Sequence, residues 1–205
     1  MWPLTDRRGS LTVPALRLRE ADEVGQALMR ASALLRDAQR RANHDALTGL
    51  PNRPLFLEAA EHHLAACRES GNKLAVLFID FDGFKSVNDR HGHGTGDELL
   101  REIAMRLRNA IRGFDLAARL GGDEFAVLLV GLRSDAAARV AGELVDVLSL
   151  PYPIGRLALQ LSASIGVAEY PVSGTTMEAL VASADRAMYE AKAAGKGRAV
   201  VAGAA

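Results

Sequence analysis

The stretch "RLGGDEFAVLL", Arg119–Leu129, places two glycines and two adjacent acids directly before a wholly apolar run. An apolar run that short, bounded by a glycine pair, predicts a buried strand entered through a tight turn. On the other side of Gly121 and Gly122, "LAARL" (Leu116–Leu120) supplies a partner strand. The stretch therefore predicts a β-hairpin and a sheet that is at least partly antiparallel. A buried strand gains nothing from adjacent carboxylates where it begins. Asp123 and Glu124 are either solvated turn residues or groups placed to hold a ligand.

A second acid stands in a matching place. The buried strand "LAVLFID" (Leu74–Asp80) ends on Asp80, and "FDGFK" follows it. If the two strands are neighbours, Asp80 and Asp123 meet at one edge of the sheet. Two carboxylates that close repel, and one of them binds a proton more tightly unless a cation lies between them. The donors on offer are all oxygen, with no Cys or His in competition. That set suits Mg²⁺ or Mn²⁺, which bind through one or two carboxylates plus phosphate oxygens. Gly121 and Gly122 carry no Cβ, so a bulky anion can approach the backbone N–H groups of the turn.

Outward from this pair the chain alternates helical and strand patterns. Residues 54–70 read as a helix capped by Asn52, after the break "DALTGLPNR" (Asp45–Arg53). "GTGDELLREIAMRLRNAIRG" (Gly94–Gly113) is amphipathic, with Leu99, Ile103, Leu107 and Ile111 recurring every four residues. Residues 134–149 and 176–194 read as further helices. "ALQLSASIGVAEY" (Ala158–Tyr170) is one long strand or two short ones, and "AVVA" (Ala199–Ala202) is a terminal strand. The class is α/β or α+β, with a central, mostly antiparallel sheet flanked by helices.

Upstream, residues 1–19 carry two prolines and a Gly-Ser pair and are expected to be irregular. From Glu20 to Asn43 the pattern is helical, with Val24, Leu28, Ala31, Leu35, Ala38 and Ala42 in a heptad seam. The expected organisation is an irregular segment (1–19), a helical linker able to form a coiled coil (20–44) and one globular domain (45–205). With 25 basic and 25 acidic residues the formal charge is zero, so no basic footprint for nucleic acid or an acidic membrane is visible. A single cysteine, Cys67, forms no internal disulfide and fits a reducing cytoplasm. The apolar runs are too short to span a bilayer. The chain is expected to be cytoplasmic, either alone or as the cytoplasmic part of a longer membrane-bound sensor.

Several long motifs occur in order: "DALTGLPNR", "FIDFDGFKSVNDRHGHGTGDELL", "RGFDLAARLGGDEF", "SASIGVA" and "ADRAMYEAKAAGKGR". In these the sequence resembles the GGDEF family of diguanylate cyclases over roughly residues 45–202. The resemblance implies a fold like the polymerase palm and the class III nucleotidyl cyclases. It implies condensation of two GTP molecules to cyclic di-GMP with release of two pyrophosphates, assisted by two Mg²⁺ or Mn²⁺ ions per site. It also implies roles by position. Asp80, Asp123 and the carbonyl of Phe81 are metal ligands, and Asp123 doubles as the proposed proton acceptor. Glu124 supports the metal site and Lys85 neutralises phosphate charge. Lys192 and Lys196 contact the triphosphate, the second standing where arginine is common in the family. Asn88 and Asp97 read guanine, and His93, Gly121 and Gly122 contribute to substrate binding. Asp82 belongs to the same motif but takes no assigned role.

Taken singly these residues have ordinary explanations: a turn asparagine, an N-cap aspartate at 97, a loop histidine, a solvated lysine pair. The order of the motifs outweighs them. "RGFD" matches the family's R-x-x-D inhibitory site, so Arg112 and Asp115 are expected to bind cyclic di-GMP as feedback inhibitor. One site holds one GTP, so two copies must face each other about a twofold axis, arranged by the N-terminal helix or by domain pairing. The seam supplies little. Its larger side chains would give about 1.5–3 kcal/mol each if fully buried, against an association cost of roughly 4–15 kcal/mol. The alternative is a catalytically silent module that binds GTP or cyclic di-GMP and regulates.

Overall fold

The computed structural model describes residues 15–132 and 136–203. The chain divides into two compact units, Met1–Ala42 and Asn43–Ala205. In the first, α1 (Ala15–Asn43) begins ahead of the expected Glu20. Residues 15–19 of the segment expected to be irregular are therefore helical; residues 1–14 lie outside the described residues. The reason is local: "ALRLRE" consists of strong helix formers directly after Pro14. Along α1 the seam residues Val24, Leu28 and Leu35 are exposed.

The second unit runs α2 (Arg53–Ser70), β1 (Lys73–Asp82), α3 (Phe84–His91), α4 (His93–Ala110), β2 (Leu116–Gly121), β3 (Glu124–Leu132), α5 (Ala136–Leu148), β4 (Tyr152–Ile154), β5 (Leu157–Leu159), β6 (Ser162–Tyr170), α6 (Met177–Ala193) and β7 (Ala199–Val201). One sheet has the strand order β2-β3-β1-β6-β7, and β4 with β5 forms a separate hairpin. Every pair in the main sheet is antiparallel except β6 with β7. The class is α+β, as expected. β1 is apolar from Leu74 to Ile79 because both of its faces are covered there. Leu77, Ile79 and Phe81 pack in the core beneath α3, α4 and α5. Leu74, Val76 and Phe78 alternate with them and pack under α2 and α6.

Local chemistry sets the helix ends. Asn52 caps α2, its Oδ1 accepting from Leu55 N at 3.1 Å. Gly71, in the left-handed region at φ 72°, closes the same helix. Thr176 caps α6 by accepting from Ala179 N at 3.2 Å. Gly166 lets α6 lie directly on β6: a Cβ there would come within 1.9 Å of Ala184 O and 2.3 Å of Met188 N. The "SIGVA" glycine thus fixes how close α6, and the lysine near its end, can come to the sheet.

Elements of the second unit also differ from expectation. α3 is not visible as a helix in the sequence, because "FKSVNDRH" is short and rich in poor helix formers. α4 spans His93–Ala110 instead of running to Gly113. The stretch read as one long strand or two is divided between β5 and β6, which lie in different sheets. No helix among the described residues is long and apolar enough to cross a membrane.

Candidate active site

β1 and β3 are neighbours, with Asp80 opposite Glu124 in the register. On the other face Phe81 and Phe125 pack edge to face, centroids 5.7 Å apart at 81°. Burial of these two rings anchors the end of β1 and the start of β3, so the turn holding Asp123 is presented at the sheet edge. Asp80, Phe81, Lys85, Asp123, Lys192 and Lys196 line one cavity of about 230 Å³, together with Asp82, Gly83 and Phe84. The expected metal ligands and the three expected phosphate lysines are thus brought together.

The Lys192 ammonium lies 2.7 Å from Asp80 Oδ1, with the two side chains 28% and 15% exposed. Burial raises the proton affinity of Asp80; Lys192 opposes this, and the Asp123 and Asp82 charges add to it. The net shift is upward. Lys192 therefore does not fully offset the burial of Asp80, to which the neighbouring carboxylates add. The oxygen donors at this edge, Asp80, Asp123 and the Phe81 carbonyl, are the ligand type a hard divalent cation takes. Among the described residues no group of three or more His, Cys, Asp or Glu side chains is gathered for a metal. The available set is two carboxylates and a backbone carbonyl, which leaves positions for phosphate oxygens and water.

The turn is clamped from outside. Arg119 donates from Nε and Nη2 to Gly122 O, at 3.0 and 2.8 Å. Its Nη1 reaches both oxygens of Asp45, at 3.0 and 3.1 Å. Asp45 also accepts from Thr48 N at 2.9 Å and from Thr48 Oγ1 at 2.7 Å. Burial pushes the Asp45 carboxyl up, but the hydrogen bonds from Thr48 and Arg119 outweigh it and hold it below the usual aspartate value. The "DALT" loop and the Gly121-Gly122 turn are thereby one polar assembly, with Gly122 at φ 51° supplying the backbone shape.

Glu124, expected to support the metal site, lies beside Arg53. Its carboxylate lies 3.5 Å from Arg53, and it lines a separate cleft of about 670 Å³ between α2 and α6. It does not line the cavity holding Asp80 and Asp123. Glu124 shares the α2/α6 face with Asp80, but Arg53 at the start of α2 stands beside it and pairs with it in the separate cleft.

The residues expected to read the base lie on α3 and α4. Asn88 is half-buried on α3, and its Oδ1 is buried without a hydrogen-bond partner. α4 crosses it closely: a Cβ on Gly96 would sit 1.9 Å from that oxygen and 3.3 Å from Phe84 Cζ. Asp97, the next residue, is exposed within α4. It is not the N-cap, because the helix starts at His93 after Gly92. His93 is exposed at that first position. Phe84 joins the two regions, since it lines the carboxylate–lysine cavity and touches the α3–α4 contact. Asn88, His93, Asp97, Gly121 and Gly122 do not themselves line that cavity.

Arg112 and Asp115 share a separate hollow of about 200 Å³. The Asp115 carboxylate also bonds the backbone: its Oδ2 accepts from Arg112 N at 3.3 Å and its Oδ1 from Val130 N at 3.1 Å. The Arg112 guanidinium stands 5.7 Å above the Phe114 ring.

Functional-site partners missed in the sequence are Arg119, Asp45, Phe125 and Asp82. Each sits inside one of the motifs, and position in a motif is the signal that could have found them. Their partners lie on distant segments and are not legible there.

The family model described as "Diguanylate cyclase, GGDEF domain" matches residues 42–198. The bifunctional diguanylate cyclase/cyclic di-GMP phosphodiesterase MucR of Pseudomonas aeruginosa is 46% identical over 161 residues, which is 78% of this chain and 24% of MucR. Diguanylate cyclase TpbB of the same organism is 46% identical over 159 residues, 77% of this chain and 37% of TpbB. Cyclic di-GMP phosphodiesterase NbdA, also of that organism, is 38% identical over 184 residues, 89% of this chain and 23% of NbdA. The chain thus spans well under half the length of each of these relatives. Among solved structures, the GGDEF domain of TpbB has a TM-score of 0.75 at 46% identity, covering 78% of this chain and 94% of that one. The coiled coil and GGDEF domain of DgcB from Caulobacter crescentus, in complex with c-di-GMP, has a TM-score of 0.81 at 29% identity, covering 92% of this chain and all of that one. With the family model running unbroken from the "DALT" loop through the carboxylate turn to the lysine turn, this chain belongs to the GGDEF domain family of diguanylate cyclases.

Proposed function

We propose that the chain is a diguanylate cyclase that joins two GTP molecules into cyclic di-GMP and releases two pyrophosphates. The observation that carries this is the convergence of Asp80 and Asp123 with Lys85, Lys192 and Lys196 on one cavity. The lysines meet the charge of a triphosphate. Asn88 and Asp97 orient guanine, the carboxylate accepting from N1–H and N2–H₂. Adenine offers no matching donors, so Asp97 rejects it. Asp123 takes the proton of the attacking 3′-hydroxyl as the new O–P bond forms. The bond from the α-phosphorus to the pyrophosphate oxygen breaks with its electron pair. Asp80, Asp123 and the Phe81 carbonyl would hold two Mg²⁺ or Mn²⁺ ions, which when bound neutralise charge on the attacking and leaving oxygens.

Each site serves one GTP, so two copies face each other about a twofold axis. The exposed seam of α1 is the surface suited to pairing them. Arg112 and Asp115 take the cyclic dinucleotide as feedback inhibitor, and the reaction takes place in the cytoplasm. A second reading is a regulatory module without chemistry. It is favoured by one observation: NbdA, which matches 89% of this chain, carries only the name of a phosphodiesterase. One assay decides. The chain is incubated with GTP or ATP plus Mg²⁺ and the products are separated by chromatography. Cyclic di-GMP from GTP alone is expected. Absence of product with GTP bound would favour the regulatory module, and a cyclic product from ATP would overturn the role of Asp97.

A further inference from the structure

We propose that Asp82 is a positioning residue. It fixes the turn after α6 against the end of β1 and so sets where the Lys196 ammonium meets a nucleotide triphosphate. The proposal rests on the nucleotide-binding role given to the cavity above.

Asp82 is the last residue of β1, and its carboxylate gathers donors from two distant segments. Oδ2 accepts from Ser162 Oγ at 2.8 Å, from Ser164 Oγ at 3.0 Å and from Gly197 N at 3.3 Å. Oδ1 accepts from Ser164 Oγ at 3.1 Å. Ser164 is fully buried. The contacts join β1, β6 and the turn between α6 and β7.

That turn is unusual in its backbone. Lys196 has φ 63° and is the non-glycine residue with positive φ among those described. A side chain with a Cβ adopts that conformation only where its surroundings impose it. Here they do so from both sides. Lys196 N donates to Ala191 O at 3.0 Å, closing the end of α6. Gly197 N is held by Asp82. Arg198 O accepts from Ile165 N at 2.9 Å, which fastens the next residue to the sheet. Removing the Asp82 carboxylate leaves the Gly197 N–H and two serine hydroxyls without this acceptor. The left-handed Lys196 then has one support fewer, and the backbone from which its side chain reaches the cavity is no longer held in place. A carboxylate suits the position because several donors converge on it; it accepts only and brings no competing N–H.

Binding of α,β-methylene-GTP and of guanosine, in Mg²⁺ buffer, is measured by calorimetry on the full chain. The variants are Asp82→Ala, Asp82→Asn, Lys196→Ala and the double Asp82→Ala/Lys196→Ala. Asp82→Ala is expected to weaken the triphosphate analogue about tenfold, the scale of one charge-assisted hydrogen bond, and to leave guanosine unchanged. Asp82→Asn recovers part of the loss, because its amide oxygen still accepts from Gly197. In the Lys196→Ala background the second substitution adds nothing. An equal added loss in both backgrounds, or an equal loss for guanosine, overturns the proposal. If Asp82→Ala does not fold, the same cycle is run with Asp82→Asn. Amide exchange without nucleotide is the independent readout: Gly197 should exchange faster in Asp82→Ala, and unchanged exchange also overturns the proposal. A wild-type chain that binds neither ligand overturns the nucleotide-binding role of the cavity and the triphosphate half of this proposal. Exchange at Gly197 still decides whether Asp82 holds the turn.

Discussion

Replacing Arg119 by alanine removes a guanidinium that serves two partners at once. The Asp45 carboxylate loses two charge-assisted hydrogen bonds, and Gly122 O loses two more. The Arg119 and Asp45 side chains are 12% and 25% exposed, so water replaces the lost bonds only in part. Breaking a fully buried pair costs about 3–5 kcal/mol, and the residual exposure places this one near ~3 kcal/mol. For a domain of this size each kcal/mol lowers the melting temperature by about 2–4 °C, so a fall of about 6–12 °C is expected. The pH dependence has a definite sign. Asp45 ionises more readily in the fold than its ordinary value of 3.8. The unfolded chain therefore binds more protons there, and the pair stabilises the protein above pH 3.8. That stability is lost as pH falls through the lower folded value. The urea midpoints of wild type and variant should be well separated at neutral pH and should converge as pH is lowered below the ordinary aspartate range. Turnover should fall about tenfold or more, because the turn bearing Asp123 is no longer held. A separation unchanged between neutral and acid pH, or a melting temperature within about 2 °C of wild type, would refute the assigned role of the clamp.

Asp123→Asn and Asp80→Asn should each cut turnover more than about a hundredfold, ~3–4 kcal/mol of transition-state stabilisation, while circular dichroism stays native. Initial rates like wild type in either variant would remove it from the reacting centre. Asp97→Ser should lower the ratio of GTP to ATP turnover, and an unchanged ratio would move base recognition elsewhere. Arg112→Ala should weaken inhibition by cyclic di-GMP without loss of initial rate; equal inhibition constants would leave Arg112 as an ordinary surface cation. Ala31→Leu with Ala38→Leu fills two exposed seam positions of α1 and should raise the dimer fraction in sedimentation at micromolar protein. Specific activity, measured alongside, should shift with it. If neither responds, α1 does not pair.

The hairpin at Gly121-Gly122, the buried β1, the amphipathic α4 and the cap at Asn52 are all legible in the sequence. Each is encoded within one short segment: an apolar run of strand length, a four-residue recurrence, or a side chain that bonds a backbone three residues on. The sequence also placed Asp80 and Asp123 at strand ends, so that only the adjacency of β1 and β3 was needed to bring them together. α3 escaped because eight residues with Ser, Asn and Asp show too little periodicity. β4 escaped because a three-residue strand containing Pro153 carries no alternation to read, and β5 was not separable from β6 because only its last two residues enter the run that starts at Ala158. Tertiary structure alone decided the partners of the polar residues. Arg119 meets Asp45 from 74 residues away, and Asp82 meets Gly197 from 115. It sent Glu124 toward Arg53, and it seated Lys192 beside Asp80 by laying α6 on Gly166. The physical reason is range. Propensity, capping and hydrophobic period act over a few residues. Which carboxylate meets which cation depends on strand order, register and helix packing, and these are settled only when the whole sheet is assembled.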